Sequence, residues 1–176
     1  MTGARGAVLD AFRWVDGHAD VWRLFETAEV FQAVVSDLVD AARANSATKV
    51  AGIEARGFIL GGAVAATAGL GFVPIRKQAG LFPGAKHTLT AEPDYRRQRH
   101  VLRVQRQSIA DGDRVLLVDD WAEVGSQAVA ARQLLEDCGG VWAGLALIVD
   151  QLPDDKRKQL APVTHIVTAD EFGPAE

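Results

Sequence analysis

"VLLVDDWAEVGSQAVAARQLL", Val115 to Leu135, decides the fold. Four apolar residues run into two aspartates, a short glycine-bearing loop follows, and Ala131, Leu134, Leu135 and Cys138 then share one face at helical spacing. A continuous apolar run is the mark of a strand covered on both faces, as in a parallel sheet. A turn at "ADGD" (110–113) leads into it, and a helix over Gln127–Cys138 follows. A strand end with two carboxylates beside a loop and a helix N-terminus suits a sugar phosphate. Glu123 and Val124 stand in that loop where hydroxyls and no negative charge would be wanted.

The same alternation extends in both directions. Thr27 is placed to cap a helix that carries Val30, Phe31, Val34, Val35, Leu38, Ala41 and Ala42 on one face. "KVAGI" (49–53) reads as a buried strand, "EARG" (54–57) as a loop, and "FILGGAVAATAG" as a helix ending at Gly69. "GFVPIRK" (71–77) reads as a strand whose Pro74 predicts an edge or an irregularity. "KHTLTAE" and "HVLRVQ" are expected to pair as a hairpin, and "GLALIVD" and "THIVTAD" to supply two more strands. Residues 1–25 read as irregular. The expected fold is α/β, a central, mainly parallel sheet flanked by helices. The 176 residues are expected to form one domain, with a small N-terminal hood over 1–26, a core over 27–176 and a projecting flexible hairpin.

Composition narrows the function classes. A net charge of −4 gives no global attraction to nucleic acid. The arginines at 96, 97, 99, 103 and 106 form a basic run, but aromatic residues are not interleaved with it. No apolar run approaches the ~20 residues of a membrane span, and the N-terminus lacks a signal-peptide core. A lone cysteine, Cys138, fits a reducing cytoplasm and reads as a buried structural thiol.

In parallel sheets ligands bind beyond the carboxyl ends of the strands. Three polar clusters fall there: Glu54–Gly57, Arg76–Lys77, and Asp119–Asp120 with the following loop. Taken together, "GIEARGF", "GLGFVPIRK" and "DGDRVLLVDDWAEVGSQAVAARQLLEDCGG" resemble the type I phosphoribosyltransferases, and the adenine branch most of all. The resemblance runs from about Asp20 to Val149 and also implies the fold above, as expected for that family. It implies transfer of ribose 5-phosphate from phosphoribosyl pyrophosphate (PRPP) to a purine base, with Mg2+, by a homodimer in the cytoplasm.

The resemblance assigns roles residue by residue. Arg56, Arg76 and Lys77 would bind pyrophosphate, where a guanidinium fork suits paired oxygens. Asp119 and Asp120 would hold the ribose hydroxyls and the metal. Glu123, Val124, Gly125, Ser126 and Gln127 replace the family's Ala-Thr-Gly-Gly-Thr phosphate loop. His18 and Ala19 lie where main-chain groups and an aromatic ring receive the base. Asp94, with Tyr95, stands nearest to the Glu-Tyr pair of the family's mobile lid, whose acid assists proton movement. Trp14 and Trp22 read first as packing residues that could also cover the site.

The phosphate loop departs most. Two lost hydroxyl bonds to a charged group are worth at most about 3–6 kcal/mol, and Glu123 adds repulsion if it faces the ligand. The divergence leaves a second reading open, a non-catalytic or regulatory nucleotide-binding protein, and a third, a transferase with another acceptor.

Overall fold

The computed structural model describes residues 3–77, 81–94 and 96–174. In chain order the elements are α1 (Gly3–Ala11), β1 (Trp14–Val15), β2 (His18–Ala19), α2 (Arg23–Glu26), α3 (Ala28–Ala44), β3 (Lys49–Ile53), α4 (Arg56–Ala68) and β4 (Gly71–Lys77). Then follow β5 (Lys86–Thr90), β6 (Val101–Gln105), β7 (Arg114–Ala122), α5 (Ser126–Asp137), β8 (Val141–Asp150), α6 (Asp154–Leu160) and β9 (Val163–Thr168). Short 3-10 turns follow β6 and β9.

Among the described residues, seven strands form one sheet in the order β5-β6-β4-β3-β7-β8-β9. β4, β3, β7, β8 and β9 run parallel, while β6 and β5 close one edge antiparallel. The expected mainly parallel α/β sheet is therefore present. Val115 to Val118 are all fully buried and divide between two cores, Leu116 and Val118 in one and Val115 and Leu117 in the other. That division is why the run lacks polar alternation. β3 has β4 on one side and β7 on the other, so the chain direction of the sheet's growth reverses between β3 and β7. A crevice opens at such a switch point, beyond the carboxyl ends of the two strands.

Most element expectations hold. Gly69 ends α4 in the left-handed region at φ 72. β5 and β6 pair as the expected hairpin. Pro74 pairs with Gly52 on one side, and β6 joins β4 only at Arg76 and Lys77, so the proline interrupts no ladder on its open side. Four expectations need correction. Residues 1–25 are not irregular: α1 forms there because Ala4 and Val8 bury against the α3 core, and the Ala4 N–H meets the buried Asp37 carboxylate. Tertiary packing overrides the weak helix propensity of two glycines. Thr27 does precede α3 in extended conformation, but its side chain makes no cap hydrogen bond. β8 starts three residues before Gly144, because a register shift opposite Val115–Leu116 absorbs Ala143. Cys138 caps α5 and is only partly buried, and burial pushes its thiol up. Among the described residues no helix is long and apolar enough to cross a membrane.

One close approach positions the crevice. A Cβ on Gly52 would lie 1.9 Å from the Gly57 carbonyl oxygen, and one on Gly61 would lie 2.7 Å from the Phe72 ring. Glycine at these points lets α4 lie tightly on the sheet with its first turn over the end of β3. Gly52→Ala should therefore lower stability by about 3 kcal/mol. Gly62→Ala, where nothing lies within 4 Å, should raise it by about 0.5–1 kcal/mol. Urea denaturation midpoints of the two variants check the contrast.

Candidate active site

A cavity of about 670 Å³ occupies the switch point. The 54–56 loop and Lys77 line one side, residues 119–127 the floor, and Trp14, Gly17, His18, Ala19 and Trp22 the hood side. Asp94 and Arg96 reach it from the hairpin. Of the residues singled out from sequence, all but Arg76 line this cavity. Tyr95 lies outside the described residues.

The floor begins at the end of β7. Asp120 is 4% exposed, and the Arg56 Nε stands 2.7 Å from its Oδ2. The guanidinium also lies 5.7 Å from the Trp22 ring centroid. The Asp120 backbone N–H donates to Asp119 Oδ1 at 3.0 Å. Gly57 presses on the same place: a Cβ there would be 3.2 Å from Asp119 Oδ1. Burial, and then the adjoining Asp120 carboxylate, push the Asp119 carboxyl well above the usual aspartate range, against the pull of Arg56. Two acids pressed together beside one arginine form a site short of positive charge, which a cation or a hydroxyl-bearing ligand would relieve.

The two basic side chains after β4 diverge. The Arg76 guanidinium turns onto Glu54, with Nη2 to Oε1 at 3.2 Å and Nε to Oε2 at 3.4 Å, and Nη1 donates to the Leu81 carbonyl at 2.8 Å. Glu54 also accepts the Lys77 backbone N–H at 3.0 Å. The Arg76 hydrogen bond leads in holding Glu54 below the usual glutamate range, against the opposing effect of burial. Arg76 thus braces the 54–57 loop, whose Glu54–Ala55 peptide is cis, while Lys77 faces the cavity.

The far end of the floor is the loop before α5. Gly125 adopts φ 71, ψ 2, and a Cβ there would meet the Leu152 side chain at 2.7 Å. Both the left-handed backbone and the close contact require glycine. The twelve-residue helix that starts at Ser126 opens its first turn toward the cavity, so N–H groups and a positive dipole end face any anion there. Glu123 also lines the cavity. Burial, and then the Asp94 carboxylate, push it up. Asp94 itself is tied into the hairpin turn, accepting from the N–H groups of Arg96 and Gln98 and from His100 Nε2, each at 2.9 Å. Burial would raise it, but the Gln98 N–H, His100 and the Arg96 N–H prevail and hold it low.

The hood is the β1–β2 hairpin. Asp16 and Gly17 both take positive φ, as a two-residue hairpin turn requires, and Trp14 pairs with Ala19. Among the lining residues that sequence reasoning missed are Trp121 and Gln151. Trp121 follows the acid pair directly and its bulk was a readable signal, whereas nothing in the sequence marked Gln151.

The chain is 43% identical over 162 residues to an adenine phosphoribosyltransferase from Frankia casuarinae, covering 90% of this chain and 85% of that protein. Among solved structures, adenine phosphoribosyltransferase from Rhodothermus marinus superposes with a TM-score of 0.81 at 29% identity, covering 94% of this chain and 98% of that one. The Saccharomyces cerevisiae enzyme, complexed with an imino-altritol bisphosphate and adenine, superposes with a TM-score of 0.82 at 26% identity, covering 94% and 99%. No protein-family model matches the chain.

The raised Asp119 has a thermodynamic consequence. The folded protein keeps its proton at pH values where the unfolded chain has released it. Its contribution is thus fully present below the ordinary aspartate range and is lost as pH rises through the raised value. Asp119→Asn removes that loss, so its stability relative to the wild type should rise as pH climbs from the ordinary aspartate range through the raised value. Urea midpoints measured across this range test it, and a flat or falling difference contradicts the assignment.

Proposed function

The chain belongs to the adenine phosphoribosyltransferase family, and on that premise we propose that it transfers ribose 5-phosphate from PRPP to adenine, releasing pyrophosphate in purine salvage. The observation that carries this reading is the acid pair at the end of β7, met at the switch point by Arg56 and by the N-terminus of α5. In the reaction the bond from ribose C1 to pyrophosphate breaks, the bond to a purine nitrogen forms, and the purine gives up a proton. Charge builds on pyrophosphate while the ribose becomes cationic, so placement of charge is the main work of the protein.

Arg56 and Lys77 would hold pyrophosphate, with Arg76 supporting the loop through Glu54 and available to the same oxygens. Asp119 and Asp120 would receive the ribose hydroxyls. Arg56 would then exchange its pairing with Asp120 for the incoming pyrophosphate. The 123–127 loop would take the 5-phosphate on the N–H groups of α5, with Ser126 and Gln127 as side-chain donors. His18 and Ala19 would receive the base, His18 by stacking and the hood by main-chain bonds. Asp94 would assist proton movement at the purine when the hairpin closes.

The two adjoining carboxylates suit Mg2+, which takes one or two carboxylates together with phosphate oxygens. Burial, and then the Asp120 charge, raise Asp119, and that repulsion is what a divalent cation would offset. When bound, the metal would neutralise pyrophosphate oxygens, and Asp119 and Asp120 would hold it. A homodimer and a cytoplasmic setting belong to the same proposal. Trp22 and Ile59, 48% and 42% exposed, offer apolar surface near Arg56 for a second copy.

Incubating the protein with Mg2+, PRPP and a panel of bases should release pyrophosphate with adenine. No release with any base defeats the reading. Arg56→Ala should lower kcat/KM by about 10- to 100-fold, the value of a charge-assisted hydrogen bond. Val124→Thr with Gln127→Thr should lower the KM for PRPP by about tenfold or more, since each restores a hydroxyl. Glu123→Gln should do so more strongly at high pH, where the raised Glu123 carboxyl is ionised.

A further inference from the structure

Behind the active-site cavity lies a second one of about 480 Å³. Trp14, Trp121 and Gln151 contribute surface to both cavities, so they form the partition between them. The partition is held in place. The Trp121 Nε1–H donates to Gln151 Oε1 at 2.8 Å. The Trp121 ring stacks on Phe172 at 5.9 Å and meets Trp14 edge-on at 6.3 Å. Phe172 is pinned in turn by Phe12, with ring centroids 3.8 Å apart. An indole fixed at its polar tip and on its flanks cannot swing aside for a ligand without losing a hydrogen bond and aromatic packing.

Trp121 follows Asp120 directly and shares the active-site wall with the hood residues His18 and Ala19. On the reading above, ribose sits at Asp119–Asp120 and the base reaches toward the hood, which brings the base to this wall. We propose that Trp121, locked by Gln151, sets the size limit of the acceptor. It ends the base subsite at the indole and keeps the second cavity out of use, so the site takes a bare purine and rejects purines carrying a bulky ring substituent. A smaller residue at position 121 joins the two cavities and admits such purines. The proposal rests on the acceptor being a base.

The test compares adenine with purines bearing a benzyl-sized group at N6, C2 or C8. The readouts are kcat/KM with PRPP and, independently of turnover, calorimetric binding of each purine. In Trp121→Leu, at least one substituted purine should gain about tenfold or more relative to adenine, since even one methylene of pocket room shifts discrimination by about 10- to 200-fold. Gln151→Leu, which keeps the indole but frees its tip, should give a smaller gain for the same purine. Unchanged ratios in both variants overturn the proposal. Thermal melting identifies a Trp121→Leu variant that fails to fold, and Gln151→Leu then decides alone, with no gain counting against. Wild-type adenine turnover with unchanged variant ratios leaves the enzyme reading standing. Absence of turnover with any base defeats that reading, while the binding ratios still judge the partition.

Discussion

The rest of the structure depends on the contact between Gly52 and Gly57. A side chain on Gly52 would occupy the Gly57 carbonyl, and one on Gly57 would crowd Asp119. With both positions bare, the first turn of α4 folds back over the end of β3 and reaches β7. Arg56 then lies against Asp120, and Glu54 is left to collect Arg76 and the Lys77 N–H. Two residues without side chains thus bring together charges from three strands. The sheet supplies the crevice by its strand order, and the glycines fill it with the correct loop.

Charge in the crevice is deliberately unbalanced. Asp119 and Asp120 share one arginine, and burial, then the Asp120 carboxylate, push the Asp119 carboxyl up. Glu123 and Asp94 face one another across the cavity with the same sign, and Glu123 is pushed up while Asp94 is held down by its turn. The difference follows from hydrogen bonding: Asp94 accepts three bonds from its own hairpin, and these outweigh its burial. On the proposed function, an anionic sugar phosphate would enter between these groups, with its metal relieving the acid pair and the N–H groups of α5 facing its phosphate. The altered loop therefore keeps its backbone device while lacking hydroxyls at Val124 and Gln127. Gly125 preserves the turn into α5, which fixes N–H direction whatever the side chains at Val124 and Gln127.

Much of this was legible in the chain. Apolar runs without alternation read correctly as strands covered on both faces, and "KHTLTAE" with "HVLRVQ" read correctly as a hairpin. The three polar clusters were found because strand ends carry them at recognisable spacings. The helix in residues 1–25 was not legible: α1 holds two glycines, and it exists only because Ala4 and Val8 have a core to enter. The different fates of Arg76 and Lys77 could not be read either. Adjacent residues on a strand point opposite ways, and which one faces the cavity depends on where Glu54 comes to lie.

Sequence by itself determined the class of fold, the strand that carries the acid pair, and the glycines at Gly52, Gly57 and Gly125. Those features are local, set by side-chain volume, backbone freedom and periodicity. Tertiary structure alone decided that Glu123 faces the cavity, that Arg56 spends its charge on Asp120, and that Trp121 joins Gln151, thirty residues on, in a wall between two cavities. Each of these is a meeting of distant segments, and a meeting is fixed by how strands order in the sheet and how helices lie on it, which no short stretch of chain encodes.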